Sequence, residues 1–303
     1  MENYTQSKSQ LNVWAVAITF LGVFLFAAKA ILIKLSYAMG MDASTMIMLR
    51  MCSALPFYVI ILFWGSHRQI FFSLTAKDHI TIIALGAVGY YLSSFLDFLG
   101  LQYITANLER LILFAYPTMV VILSALFLKK KISRDQLIAI IVTYLGLVIT
   151  LFDKLSLGAN NNVYLGVVLI LGSAFTYAIY LVGSGTLLQR IGTMVFTSYS
   201  MVVSALCVIL HSCLVPTKPL AEIPQIVYVY GVIIAVFSTI IPSFLISYAI
   251  RQIGASKVSI IGSIGPVFTI FLSYYMLHET LSLYQIIGGV VILAGVLWVS
   301  RKK

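Results

Sequence analysis

Apolar stretches of 16 to 25 residues follow one another along the chain, parted by short polar or glycine-bearing connections. Each is close to the ~20 residues that a helix needs to cross hydrocarbon. The pattern predicts ten spans: Val13 to Tyr37, Thr45 to Trp64, Ile80 to Leu101, Ala106 to Leu128, Leu137 to Phe152, Val163 to Val182, Met194 to Val215, Ile226 to Ala249, Val258 to Leu277 and Tyr284 to Val299. Breakers mark the connections, among them Gly40, Gly65, Gly158 to Asn162, Pro216 to Pro224 and Gly254. The expected fold class is an all-α membrane protein of ten transmembrane helices, with no linker between folded domains.

Composition removes the soluble alternative. The 303 residues are 61% hydrophobic and 9% charged, with a mean hydropathy of +1.05, where an ordinary soluble domain is about a quarter charged. Cys52, Cys207 and Cys213 all fall inside apolar stretches and read as small core residues rather than a disulfide framework. The first stretch is too long for a signal-peptide core and has no small-residue cleavage site, so it is read as a retained span. The net charge of +10 carries orientation. With a cytoplasmic N-terminus the inner segments hold thirteen basic residues (Lys8, Arg68, Lys77, Lys129, Lys130, Lys131, Arg134, Arg190, Arg251, Lys257, Arg301, Lys302 and Lys303), and the outer ones hold Lys154 and Lys218. Both termini are therefore expected on the cytoplasmic side of a bacterial inner (plasma) membrane. Scattered over short loops, these residues do not form the basic face that nucleic acid requires, so no nucleic-acid partner is expected.

The chain also repeats itself. Ser94-Phe95-Leu96 recurs as Ser243-Phe244-Leu245, and the same offset of 149 relates Ile104 to Ile253, Ala106 to Ala255, Pro117 to Pro266 and Gly146 to Gly295. Leu123-Ser124, Leu128, Ser133 and Gln136 match Leu272-Ser273, Leu277, Ser282 and Gln285. The reading is a duplication of five spans, 1–152 and 153–303. Five is odd, so the second copy runs through the bilayer inverted. The loops agree: Lys129-Lys130-Lys131 is basic, and its mate His278-Glu279-Thr280 has no Lys or Arg. Inverted copies offer two related conformations around a site near the midplane, which is transporter architecture.

At these residues the chain resembles a known family. Ten spans, the duplication, a Pro inside spans four and nine, and the run Pro266-Val267-Phe268 to His278-Glu279-Thr280-Leu281, Gly288 and Gly295 are similar to the drug/metabolite transporter superfamily, specifically its EamA-type exporters. A Glu commonly follows the Pro-containing helix in both halves of that family. This chain has Glu279 in the second half and Lys130 at the matching first-half position, which points to a turn or interface role for the Glu rather than substrate ligation. The run Leu108-Glu109-Arg110-Leu111-Ile112-Leu113-Phe114-Ala115-Tyr116-Pro117 looks like a subgroup signature. The resemblance implies export or uptake of small metabolites of varied chemistry.

Ionisable groups within spans are costly to bury and are the default site candidates. Lys29 lies mid-span, Lys34 and Arg50 flank the outer loop after it, and Asp97, Glu109 and Arg110 flank the next outer loop, between spans three and four. Four positive and two negative groups favour a carboxylate or phosphate over a cation. Lys34 near an interface reads as a snorkelling cation, Glu109 as a helix-dipole partner or proton carrier, and Arg50 with Asp97 as an alternative buried pair. Lys29 is the hardest to place outside a site.

Uncharged polar residues fall on single helical stripes: Gly86, Tyr90, Ser93, Ser94, Asp97 and Gly100 in span three; Ser173, Thr176, Tyr177, Tyr180 and Ser184 in span six; Thr197, Ser200, Ser204 and His211 in span seven; Ser256, Ser259, Ser263, Pro266 and Ser273 in span nine. Stripes seven and nine read first as close packing, and stripes three and six as cavity lining. The substrate-contacting set expected from these patterns is Lys29, Arg50, Tyr90, Ser94, Asp97, Arg110, Tyr177 and Tyr180. Asp97 and Glu109 are the coupling candidates, and Pro117 and Pro266 the hinge candidates. Tyr4, Tyr37, Tyr103 and Tyr164 fit an interfacial belt, and His211 reads as structural.

Other functions fit less well. No G-x-x-x-x-G-K-[ST], G-x-S-x-G or H-E-x-x-H motif occurs, which argues against ATP hydrolysis and against a membrane-embedded enzyme. An exporter of lipophilic cations needs a carboxylate where this chain has Lys29. The sequence therefore reads as a secondary transporter of a small polar metabolite, an amino acid or related carboxylated compound first and a nucleoside-like or cofactor-like molecule second. No cofactor and no metal is expected, and the partners are the substrate and the bilayer.

Overall fold

The computed structural model describes residues 2–129, 132–156, 161–215, 217–262 and 265–301. Lys130, Lys131, Pro216, Ser263, Lys302, Lys303 and positions 158–160 of the expected loop lie outside them. The chain is all helix, with no strand among the described residues. In hydrocarbon every backbone N–H and C=O must be satisfied within its own segment, and only the helix does this for a single crossing. Among the described residues, seven stretches are long and apolar enough to cross: Trp14–Ala38, Ala43–Phe63, Ala76–Gly100, Ala106–Phe127, Asn162–Ile191, Thr193–Leu214 and Gln225–Ile253. Three shorter apolar ones, Ile140–Phe152, Gly265–Leu277 and Leu283–Gly295, join them.

In chain order the helices are α1 (Glu2–Ala38), α2 (Ala43–Phe63), α3 (Ser66–Phe72), α4 (Ala76–Leu85), α5 (Ser93–Gly100), α6 (Ala106–Leu113), α7 (Tyr116–Leu128), α8 (Arg134–Ser156), α9 (Asn161–Ile191), α10 (Thr193–Leu214), α11 (Gln225–Ala235), α12 (Ile241–Ile253), α13 (Ala255–Ile261), α14 (Gly265–Leu277) and α15 (Leu283–Arg301). π-helical turns, Gly86–Leu92 and Val236–Ile240, join α4 to α5 and α11 to α12.

The expected span four is broken in two at Phe114 and Ala115, into α6 and α7, and the described residues of the expected span nine form α13 and α14, on either side of positions 263 and 264. Pro117 and Pro266 do not kink a continuous helix. Each is the second residue of a new helical segment, where the missing N–H has no partner to lose and the fixed φ suits the first turn. The halves share these irregularities at one offset. Ala106, Tyr116 and Leu128 begin or end segments 149 positions before Ala255, Gly265 and Leu277 do so. Among the described residues, two non-glycine residues have positive φ, Lys129 at 51° and His278 at 54°, and they are also 149 apart.

Small residues set the closest crossings. α8 lies against α15, where a Cβ on Gly146 would meet the Gly288 carbonyl at 2.8 Å and one on Gly288 would meet the Gly146 carbonyl at 2.6 Å. Elsewhere α2 packs on α10, α1 on α12 and α14, and α5 on α9. Large apolar side chains such as Phe20, Phe57, Leu145, Val168, Leu210 and Phe271 point outward, as a hydrocarbon solvent requires. The cysteines are unpaired, and Cys52 and Cys213 are exposed rather than core residues.

Candidate functional site

Helices from both halves surround a central cavity. Space for water-sized molecules within it amounts to about 120 Å³. α1 contributes Phe26 and Lys29, and α2 contributes Arg50. The π-helical turn at Gly86–Leu92 and α5 bring Tyr90, Ser93, Ser94 and Asp97; α6 and α7 bring Arg110, Leu113 and Tyr116; α9 brings Ser173 and Tyr177. The far wall is Thr239, Ile246, Val258, Ser259 and Gly262. Those five are the positions 149 residues after Tyr90, Asp97, Glu109, Arg110 and Leu113. Four of these mates, all but Glu109, also line the cavity, and its charged residues all come from the first half.

The charged groups are held as follows. Lys29, 8% exposed, donates Nζ to Oδ2 of Asp97, which is 2% exposed. Arg110 places Nε 3.7 Å from Oε2 of the buried Glu109 and donates Nη2 to the Phe26 carbonyl at 3.3 Å. Arg50 is 3% exposed, and its guanidinium lies 4.9 Å from the centroid of the Phe98 ring. The Nε and Nη2 of Arg50 have no hydrogen-bond partner in the protein. The alternative Arg50–Asp97 pair is not formed, because Lys29 reaches Asp97 and the aromatic face of Phe98 takes the guanidinium.

Of the eight residues expected to contact substrate, seven line the cavity: Lys29, Arg50, Tyr90, Ser94, Asp97, Arg110 and Tyr177. Tyr180 does not. It lies behind Tyr90, ring centroids 4.6 Å apart, and packs on Phe196 at 5.8 Å. Glu109 is buried behind the wall rather than in it, with Asp97, Arg110 and Lys29 as its charged neighbours. Pro117 and Pro266 lie outside the lining, one residue into α7 and α14.

The remaining readings resolve individually. Lys34 neither snorkels nor reaches the cavity: its Nζ donates to the carbonyls of Leu101 at 3.1 Å and Ile104 at 3.0 Å, closing the end of α5. Stripes three and six face each other through Ser93 and Ser173, whose hydroxyls are 3.2 Å apart. In stripe seven Thr197, Ser200 and Ser204 are buried in packing contacts away from the cavity. His211 accepts or donates at Nδ1 with the Tyr91 hydroxyl at 3.1 Å. Glu279 caps α6, its Oε1 accepting from the Ala106 amide at 3.0 Å and its Oε2 from the Asn107 amide at 3.1 Å. A carboxylate there satisfies orphan N–H groups and complements the helix dipole.

Sequence reasoning did not single out Tyr116, Thr239 or the Asn107–Ser273 bond. Tyr116 lines the cavity and donates its hydroxyl to the Ser259 carbonyl at 3.0 Å, tying α7 to α13. Its one sequence signal was its place just before Pro117. No group of three or more His, Cys, Asp or Glu able to hold a metal occurs among the described residues.

Comparison with known proteins places this geometry. The family model described as the EamA-like transporter family matches residues 13–152 and again 164–301. Among similar proteins, the uncharacterized transporter YcbK of Bacillus subtilis is 32% identical over 93% of this chain and 91% of its own length. The uncharacterized transporter YyaM of the same organism is 27% identical over 74% of each chain, and an uncharacterized transporter of Archaeoglobus fulgidus is 27% identical over 75% of this chain and 79% of its own. A solved crystal structure shares the fold over 95% of this chain and 96% of its own, with a TM-score of 0.64 at 17% identity. With both halves matched and the helical fold shared end to end, the chain belongs to the EamA-like transporter family.

Proposed function

We propose that the protein is a secondary transporter that carries a small carboxylated metabolite, of the amino-acid class or a relative of it, through the central cavity by alternating access. The observation that carries this reading is Arg50: a buried guanidinium on the cavity wall with Nε and Nη2 unsatisfied by the protein, close to Lys29. Leaving such donors unpaired is expensive, and a carboxylate accepts two parallel N–H bonds from this fork. Tyr90 and Tyr177 offer ring faces to an organic body, and Ser93, Ser94 and Ser173 offer hydroxyls. The two halves act as inverted repeats, 1–152 and 153–303, that rock about the cavity. Both termini face the cytoplasm of a bacterial inner membrane, and Pro117 and Pro266 serve as hinges. Asp97 and Glu109 are the groups available to couple transport to protons.

A nucleoside-like or cofactor-like substrate is the second reading. The edge-to-face pair Tyr116–Tyr177, 5.7 Å between centroids at the cavity, favours it by offering a flat base a stacking surface. Thermal-shift screening of the detergent-purified protein against a metabolite library tests both, since a ligand of the folded state raises apparent stability. A carboxylated hit that loses its shift in Arg50→Met or Lys29→Met is the expected result. Retention in both variants removes the charge argument. For coupling, Asp97→Asn or Glu109→Gln is expected to abolish uptake driven by a pH gradient in liposomes.

A further inference from the structure

The charge balance of the cavity narrows the cargo further. Three cations of the wall, Lys29, Arg50 and Arg110, stand with two carboxyls, Asp97 on the wall and Glu109 buried behind it. Two cations have carboxylate partners and Arg50 does not. Exchanging partners does not help: if Asp97 turned to Arg50, Lys29 would be left over. The second half adds no carboxylate, because the positions matching Asp97, Glu109 and Arg110 are Ile246, Val258 and Ser259. No other charged residue lines the cavity among the described residues. The surplus is therefore one positive charge with both carboxyls ionised, and a proton on Glu109 or Asp97 would make it two. It is never negative.

We infer that the cargo carries net negative charge: a carboxylate with no compensating ammonium group, or an acidic amino acid, rather than a neutral zwitterion. The inference rests on the carboxylate-transport reading and adds a sign to it. A zwitterion binding through Arg50 brings its own ammonium into a site that already holds one cation too many, so the surplus stays buried at every passage. A net anion cancels it. Removing an uncompensated charge from water costs far more than removing a paired one, so the occluded intermediate forms readily only with an anion inside. The unpaired fork of Arg50 and the absence of charge on the opposite wall are two separate observations with the same consequence.

The test uses pairs of nearly equal shape that differ by one charge: L-glutamate against L-glutamine, L-aspartate against L-asparagine, and 4-methyl-2-oxopentanoate against L-leucine. Each is titrated by thermal shift on the full-length protein in detergent, up to about 10 mM, where ligands as weak as millimolar register. In at least one pair the anion is expected to bind about tenfold or more tightly than its neutral partner. Arg50→Gln, which removes the surplus, is expected to abolish that preference, while Arg50→Lys keeps it at reduced affinity and controls for folding. Zwitterions binding as well as their anionic partners would overturn the sign argument and leave carboxylate transport standing. Shifts from nucleosides or cationic amino acids alone, or from no carboxylate at all, would overturn both.

Discussion

The Lys29–Asp97 pair allows the sharpest energetic test. Both groups are almost wholly buried, 68 residues apart in sequence, and joined by a direct ion-paired hydrogen bond from α1 to α5. Replacing Asp97 by Asn keeps the shape and removes the charge, leaving the Lys29 ammonium uncompensated beside Arg50 and Arg110. Breaking a buried pair from one side costs about 3–5 kcal/mol. The Lys29 side chain is 10% exposed, toward the cavity, so the lower end, about 3 kcal/mol, is the working value. Lys29→Met alone strands the carboxylate and is similarly costly. The double variant Lys29→Met/Asp97→Asn strands neither charge, so the cycle is expected to show a coupling of about 2–3 kcal/mol, with the double variant more stable than the sum of the singles predicts. Reversible unfolding of the purified protein in detergent, all four species at one pH, measures it. Additivity to within about 0.5 kcal/mol would show that the two groups do not depend on each other, and would refute the buried-pair account.

Three further expectations follow from particular contacts. Glu279→Ala removes the carboxylate that caps two amides of α6, and should cost about 1–3 kcal/mol and speed hydrogen exchange at Ala106 and Asn107. Gly288→Ala puts a methyl group 2.6 Å from the Gly146 carbonyl and the Thr150 backbone nitrogen, forcing α8 and α15 apart; a loss of about 1–3 kcal/mol in detergent unfolding is expected, and an unchanged melting temperature would contradict the close crossing. Tyr180→Phe deletes a hydroxyl that does not face the cavity and should leave transport KM within about twofold, whereas Tyr177→Ala on the wall should raise it about tenfold; the reverse order would move the site.

Much of the candidate site was readable before any coordinates. Lys29, Arg50, Asp97 and Arg110 were exposed by cost alone, because an ionisable residue in a lipid-length apolar run must face something other than lipid. Tyr90, Ser94 and Tyr177 followed from three- and four-residue spacing, which puts them on the faces carrying those charges. The same spacing misplaced Tyr180, three residues from Tyr177 and therefore on its side of α9, yet turned behind Tyr90 by the way α9 packs against the first π-helical turn. Lys34 was misread for a related reason. Snorkelling assumes no nearer acceptor, and only the fold brings the carbonyls of Leu101 and Ile104 within reach.

Sequence alone determined that the protein is helical, lives in a bilayer and repeats short runs at an offset of 149 residues. These properties are local: each apolar run must satisfy its own backbone in hydrocarbon, and a repeated Pro, Gly or Ser needs no partner to be recognised. Tertiary structure decided which charge meets which. Several cations on α1, α2 and α6 were plausible partners for Asp97, and a shift of a few ångströms in helix tilt or rotation selects among them. The same packing chose Lys29 for Asp97, left Arg50 on the Phe98 ring, and brought Glu279 across 172 residues to cap α6. A one-dimensional pattern specifies the face of a helix, but not the distance between two faces, and it is distance that converts a list of buried charges into a site with a net sign.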